Sequence, residues 1–326
     1  MRLKTKIFFA ISASLFSIQL LAQQVSVTQA PSSQQKPSYC YDSWVLFNPD
    51  IQLAQKQGDI RGLEVSAESG DSSSQHLIGS LYRLGDKHPA NIFQEDTVKA
   101  KKYLGNAAVQ GNLPAMAAMA ELELANKNNK DAMLWSQIYA YYSKEEQQKQ
   151  KKDSNFAYQA FLLKRVIDAA RKENKAYLDK TFMEDFNNFF VNYDAKIQAS
   201  KNRVFTSAEI EKYKACGSAN KNATLQNTVL LNANKIRANE QTSNALGSPG
   251  FAYYLIGINS DGMVIKALVV DSLPSEAYAK GLTAVAKALE FNKTPGLELR
   301  QAYVPITFDD DSIRIKKKRG NSTSHR

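Results

Sequence analysis

The sequence predicts an α+β protein in two parts: an array of helical hairpins, then a small antiparallel sheet carrying one helix. Three observations predict it. From about Tyr39 to Lys149, apolar residues recur at three- and four-residue spacing, the period of a helix with one buried face. Within that stretch a unit repeats, with Gly70 and Gly111 at equivalent places. From about Thr224 the pattern changes to alternate residues, the period of a strand with one buried face.

Before the array, Arg2, Lys4 and Lys6 precede the uncharged run Ile7 to Leu21, and Ala22 is followed by Gln23-Gln24. A basic start, a short apolar middle and a small residue at the cut predict a signal peptide over residues 1–22, hence export to the periplasm. The apolar run is shorter than the roughly 20 residues that span a bilayer. An uncleaved inner-membrane anchor facing the periplasm is the alternative. Residues 23–38, rich in Gln, Ser, Thr and Pro, have little to bury and read as a flexible lead-in. The formal charge of the whole chain is +10, and losing Arg2, Lys4 and Lys6 leaves +7. Part of that excess lies in residues 314–326, which hold Arg314, Lys316-Lys317-Lys318-Arg319 and Arg326. They read as a solvated, disordered end, with attraction to anionic lipid, nucleic acid or acidic polymers as the rival reading.

Two cysteines occur, Cys40 and Cys216. In an oxidising compartment an even pair points to a disulfide, and two buried free thiols are the alternative. A bridge across so long a loop would stabilise by up to about 5 kcal/mol in the chain-entropy account.

The helical part is read over residues 39–200. One stretch runs Ser66-Ala67-Glu68-Ser69-Gly70-Asp71, then Ile78-Gly79, Tyr82 and Gly85. The second runs Asn106-Ala107-Ala108-Val109-Gln110-Gly111-Asn112, then Pro114 to Ala120, with Asp96, Lys99-Ala100 and Tyr103 between the two. Small residues at Gly79, Ala100, Ala107 and Ala108 let antiparallel helices approach closely, and tyrosines fill the grooves between pairs. Gly70 and Gly111 end helices in the left-handed conformation, and Asp96 caps the following one. The framework Ile78, Gly79, Tyr82, Gly85, Lys99, Ala100, Tyr103, Ala107, Ala108 and Gly111 resembles the SEL-one-like repeat, a relative of the tetratricopeptide repeat. That resemblance covers about 95 residues and implies a scaffold for protein contacts. Residues 144–153, nearly all charged or Gln, read as a solvated helix or loop. From Phe156 to Ile197 the spacing predicts two more helices, in which Phe182, Phe186, Phe189 and Phe190 pack rather than bind a ligand.

Residues 201–250 read as linker and entry segment. The sheet domain follows over 251–313, with a start as early as 224 as the alternative. Phe251 to Ile258 and Met263 to Val270 are read as strands around an Asn259-Ser260-Asp261-Gly262 turn. Asp271-Ser272-Leu273-Pro274 is expected to open a helix through Leu289, and Leu299 to Phe308 to form the last strand. This order, with Phe291, Pro295 and Val304-Pro305-Ile306 in place, resembles the C-terminal domain of TonB-type energy transducers over about 80 residues. A Tyr-Pro entry and a Pro-rich spacer are missing. The resemblance implies that the last strand meets a partner, here through Arg300, Gln301, Ala302, Tyr303, Val304 and Ile306. Edge pairing takes its affinity from main-chain hydrogen bonds.

No catalytic set stands out. The three histidines, His76, His88 and His325, fall in a repeat helix, a loop and a terminus, and read as surface or structural residues. No His or Cys spacing suits zinc, and neither a phosphate-binding Gly-rich loop nor a Gly-x-Ser-x-Gly elbow occurs. Asp309-Asp310-Asp311 reads as a solvated turn, and Tyr39-Cys40-Tyr41 with Trp44 as packing. The expectation is a non-enzymatic exported interaction scaffold, without cofactor, metal, nucleic acid or small-molecule substrate. Its partners would be envelope proteins, an outer-membrane receptor or an inner-membrane complex, with its helical part recruiting one of them through its concave face. Rival readings are an anchored TonB-type transducer, a wall-associated protein using its basic tail, and an enzyme with a site of scattered polar residues.

Overall fold

The computed structural model describes residues 37–150, 157–204, 206–219, 231 and 246–308. The leader, most of the lead-in, the Thr224 pattern change, Asp309-Asp310-Asp311, His325 and the basic tail lie outside them. The chain is mixed α+β. Helices α1 (Ser43–Phe47), α2 (Leu53–Glu68), α3 (Ser72–Leu84), α4 (Thr97–Ala108), α5 (Leu113–Ala125), α6 (Asn129–Gln150), α7 (Ala157–Lys180), α8 (Phe182–Lys201) and α9 (Ser207–Ala219) come first. Strands β1 (Gly250–Ile258) and β2 (Val264–Leu273), helix α10 (Glu276–Lys287) and strand β3 (Arg300–Phe308) follow.

Local chemistry explains where the helices begin and end. The side chains of Asp42, Asp71, Asp96 and Asn112 accept from the backbone N–H groups of Trp44, Ser74, Lys99 and Ala115 at 2.7–3.0 Å. Each such cap contributes about 1 kcal/mol. Gly70 and Gly111 take φ of 93° and 87°, the left-handed conformation expected just past a helix end. Successive helices from α1 to α8 pack on one another, α3 with α4 and α5 with α6 most closely. A Cβ at Gly79 would lie 2.8 Å from Leu104 Cγ, so this glycine lets α4 approach the α3 backbone. Ile78, Ala100, Ala107 and Ala108 are sealed in the same contact. Tyr82 stacks on Phe93 at 4.3 Å and faces Tyr103 at 6.2 Å, with Lys99 Nζ 4.8 Å above its ring. On α8, Phe182 is buried, Phe186, Phe189 and Phe190 are half-buried, and Phe189 meets Trp135 edge-on at 5.2 Å.

The sheet is antiparallel in the order β2-β1-β3. Its hairpin closes as the sequence predicts, with Gly262 at φ 85° and Asn259 N–H donating to Met263 O at 3.0 Å. β2 differs from expectation. Asp271, Ser272 and Leu273 do not open the helix but extend the strand, opposite Tyr253, Ala252 and Phe251. α10 starts only at Glu276.

Both faces of the sheet are covered. Ala252, Tyr254 and Ile256 pack with Tyr278, Leu282 and Val285 of α10. Phe251, Leu255, Leu268, Val270 and Leu273 join the apolar cluster of the helices instead. α1, α3 and α5 contact that side, and Tyr158 of α7 meets Phe251 edge-on at 5.0 Å. Cys40 and Cys216 are joined by a disulfide with Cα atoms 5.2 Å apart. No helix among the described residues is long and apolar enough to cross a membrane.

Candidate functional site

The densest polar chemistry lies where β2 meets α3. Residues 76, 80 and 83 fall four and three apart on α3, so their side chains share one face. All three turn to Asp271, which is 0% exposed. His76 Nε2 lies 3.1 Å from Asp271 Oδ2, Ser80 Oγ donates to the same oxygen at 2.9 Å, and Arg83 donates to Oδ1 at 2.6 Å. Arg83 also donates to the Ser272 carbonyl at 2.8 Å, and Ser272 N–H donates to Asp271 Oδ1 at 2.8 Å. Burial works to raise the Asp271 carboxyl, but the Arg83 guanidinium and the hydrogen bonds from His76 and Ser80 outweigh it. The carboxyl is held well below the usual carboxylate range.

His88 closes the strand from the next turn. It is 1% exposed. Its Nδ1 accepts from Ala90 N–H at 3.1 Å, which leaves the proton on Nε2, directed to Val270 O at 3.2 Å. Both ring nitrogens are thus satisfied in the neutral form. Lys56, also buried, donates to Ala90 O at 3.2 Å and braces the same loop. Burial lowers the His88 pKa from 6.5 to about 4, against the opposing pull of the Val270 carbonyl.

A testable consequence follows from the sign of that shift. Between these two values the unfolded chain takes up a proton that the folded protein refuses, so stability falls with falling pH. At roughly 1.4 kcal/mol per unit, the loss approaches about 3 kcal/mol between pH 6.5 and 4. Urea unfolding at pH 7 and pH 4.5 is expected to show a lower midpoint in acid, and His88→Gln to flatten the difference.

The constellation contains a serine, a histidine and an aspartate, yet it is not arranged for nucleophilic attack. A catalytic serine must donate to the histidine that will take its proton. Here Ser80 and His76 both address the carboxylate. A shallow cleft beside β2, lined by Leu84, Pro89, Val269, Ala279, Lys280 and Thr283, presents Glu276 as its one carboxylate. No group of three or more His, Cys, Asp or Glu side chains among the described residues is placed to hold a metal ion. No family model, curated protein or solved structure matches this chain. The reading of the site therefore rests on its own geometry.

The residues singled out for partner contact, Arg300, Gln301, Ala302, Tyr303, Val304 and Ile306, all lie on β3, an edge of the described sheet. Their side chains are largely enclosed. Ala302, Val304 and Ile306 pack toward α10, Tyr303 toward the helices, and Arg300 donates to Asn292 O at 2.5 Å. The sequence did not mark Asp271, Ser80 or Arg83. Two signals were available: His76, Ser80 and Arg83 at helical spacing among apolar residues of α3, and an aspartate directly after the apolar run Ala267 to Val270.

Proposed function

We propose that this chain is an exported protein–protein interaction scaffold of the bacterial envelope. In this reading its helices form a SEL-one-like array, and the sheet with α10 is a TonB C-terminal-like unit that meets an envelope partner by strand-edge pairing at β3. One observation carries the proposal: a buried polar cluster, Asp271 with Arg83, His76 and Ser80, faces inward and joins the helices to the sheet. In this reading the outward surface serves contact rather than chemistry. The Cys40–Cys216 bridge supports an oxidising compartment. The face of α1, α3 and α5 is taken by the chain's own sheet. A partner is therefore left with the outer helices and the sheet edge.

Photo-crosslinking in cells tests this reading. Probes at Thr307 on β3 and at the exposed Val98 and Val191, 79% and 70% accessible, are compared with a probe at buried Leu104. A discrete envelope protein captured from Thr307 and absent from Leu104 is the expected result. Capture from Val98 or Val191 alone would move the contact to the helices. No product above the Leu104 background, or a chain retained in the cytoplasm, would overturn the proposal. The mass of the exported chain separates a cleaved scaffold, starting near Gln23, from an anchored transducer.

A further inference from the structure

We propose that the Cys40–Cys216 disulfide is a site of thiol–disulfide exchange whose reduction releases α9 while the rest of the fold stays in place. The two halves of the bridge sit in unlike surroundings. Cys40 is 3% exposed, and its carbonyl lies directly over Gly62 of α2, where any side chain would collide with it. That half is embedded. Cys216 is only partly buried and belongs to α9, in which none of the residues with described side chains is buried. α9 packs broadly against no other described element.

A further contact of α9 with the body is polar and superficial. Lys212 Nζ donates to Ser69 Oγ at 3.0 Å and lies 4.7 Å above the Tyr39 ring. Thr206, Glu209 and Arg203 bond to one another at the start of the helix. A helix of this length, whose described side chains are all at least partly exposed, is marginal in water on its own. The covalent link therefore decides whether α9 is ordered against α2. The described buried bulk of the helices and the sheet lies elsewhere, in clusters whose described members are outside α9.

The chemistry balances with a dithiol as the partner. One thiolate of the dithiol attacks Sγ of Cys216, the less buried of the two residues. The S–S bond breaks, and Cys40 leaves as a thiolate that takes a proton. The second thiol of the partner then displaces Cys216 from the mixed disulfide. Two electrons and two protons pass to the chain, and the partner ends as a disulfide. The product keeps one thiol buried at Cys40 and carries the other, Cys216, outward on a released segment.

Hydrogen exchange read by mass spectrometry on the full chain, with and without dithiothreitol, tests this directly. Alkylation of both cysteines first establishes that reduction is complete. Amides of residues 207–219 are expected to lose protection at least tenfold on reduction, while those of 77–108 and 250–273 keep theirs. Cys216→Ser is expected to reproduce the released state without reductant. Lys212→Ala in the oxidised chain is expected to leave α9 protected. Unchanged protection of α9 in fully reduced protein would overturn the proposal, since α9 would then be held by packing. Loss of protection across 77–108 or 250–273 would also overturn it, since the bridge would then support the whole fold.

Discussion

Asp271→Ala is expected to destabilise the folded protein by about 3–5 kcal/mol, because it strands a buried cation rather than merely deleting a contact. Arg83 reaches the carboxylate at 2.6 Å with its own side chain 8% exposed, and His76 and Ser80 point into the same volume. With the carboxylate gone, none of these groups regains water unless β2 lifts from α3. Asp271→Asn separates charge from shape. It preserves the volume and an acceptor for Ser80, yet leaves the guanidinium uncompensated. Urea unfolding of both variants, with hydrogen exchange followed on β2, checks the expectation. A loss below about 1 kcal/mol for the alanine variant would mean that the seam is open to solvent, as exposed ion pairs contribute no more than that. The same linkage sets a pH window. The Asp271 carboxyl is held below its ordinary value of 3.8. Its contribution is therefore present above that pH and is lost as pH falls further, after His88 has already been titrated.

Leu255→Ala is expected to cost about 2–5 kcal/mol through lost burial and the cavity left behind. Leu255 is 1% exposed, stands opposite Leu268 and Tyr303, and faces the helices rather than α10. The manner of unfolding is as informative as the size of the loss. Because the apolar cluster runs without interruption from the helices into this face of the sheet, both parts are expected to unfold in one transition. The two tryptophans report on each separately. Trp44 lies over Gly257 at the seam, whereas Trp135 packs on Phe189 and Tyr193 within the helices. Single-tryptophan variants, each carrying Leu255→Ala, are expected to show coincident thermal transitions. Transitions that separate would show the sheet and helices to be independent folding units.

Much of the secondary structure was legible because its causes are local. Asp96 caps α4, Gly70 and Gly111 close α2 and α4, and Asn259 to Gly262 turns the hairpin, each through groups within a few residues of one another. The error at Asp271-Ser272 has the same origin. By local rules a polar pair before Leu273-Pro274 resembles a helix entrance. The strand continues because β1 lies alongside with partners for it and because Arg83, 188 residues away in sequence, meets the carboxylate. His76 and His88 were placed correctly on their elements, but nothing nearby in sequence says that both are enclosed.

Spacing and residue type alone settle that this chain alternates from helices to a small antiparallel sheet with one helix, and where most of those elements begin. They also supply a pair of cysteines able to bridge, without saying that they meet. Only the tertiary structure decides that Cys40 and Cys216 are joined, that the sheet is covered on both faces, and that Asp271 is the acceptor on which His76, Ser80 and Arg83 converge. The physical reason is range. Caps and turns are satisfied within one turn of chain, whereas burial and charge compensation depend on which distant segments share a volume, and periodicity carries no record of that.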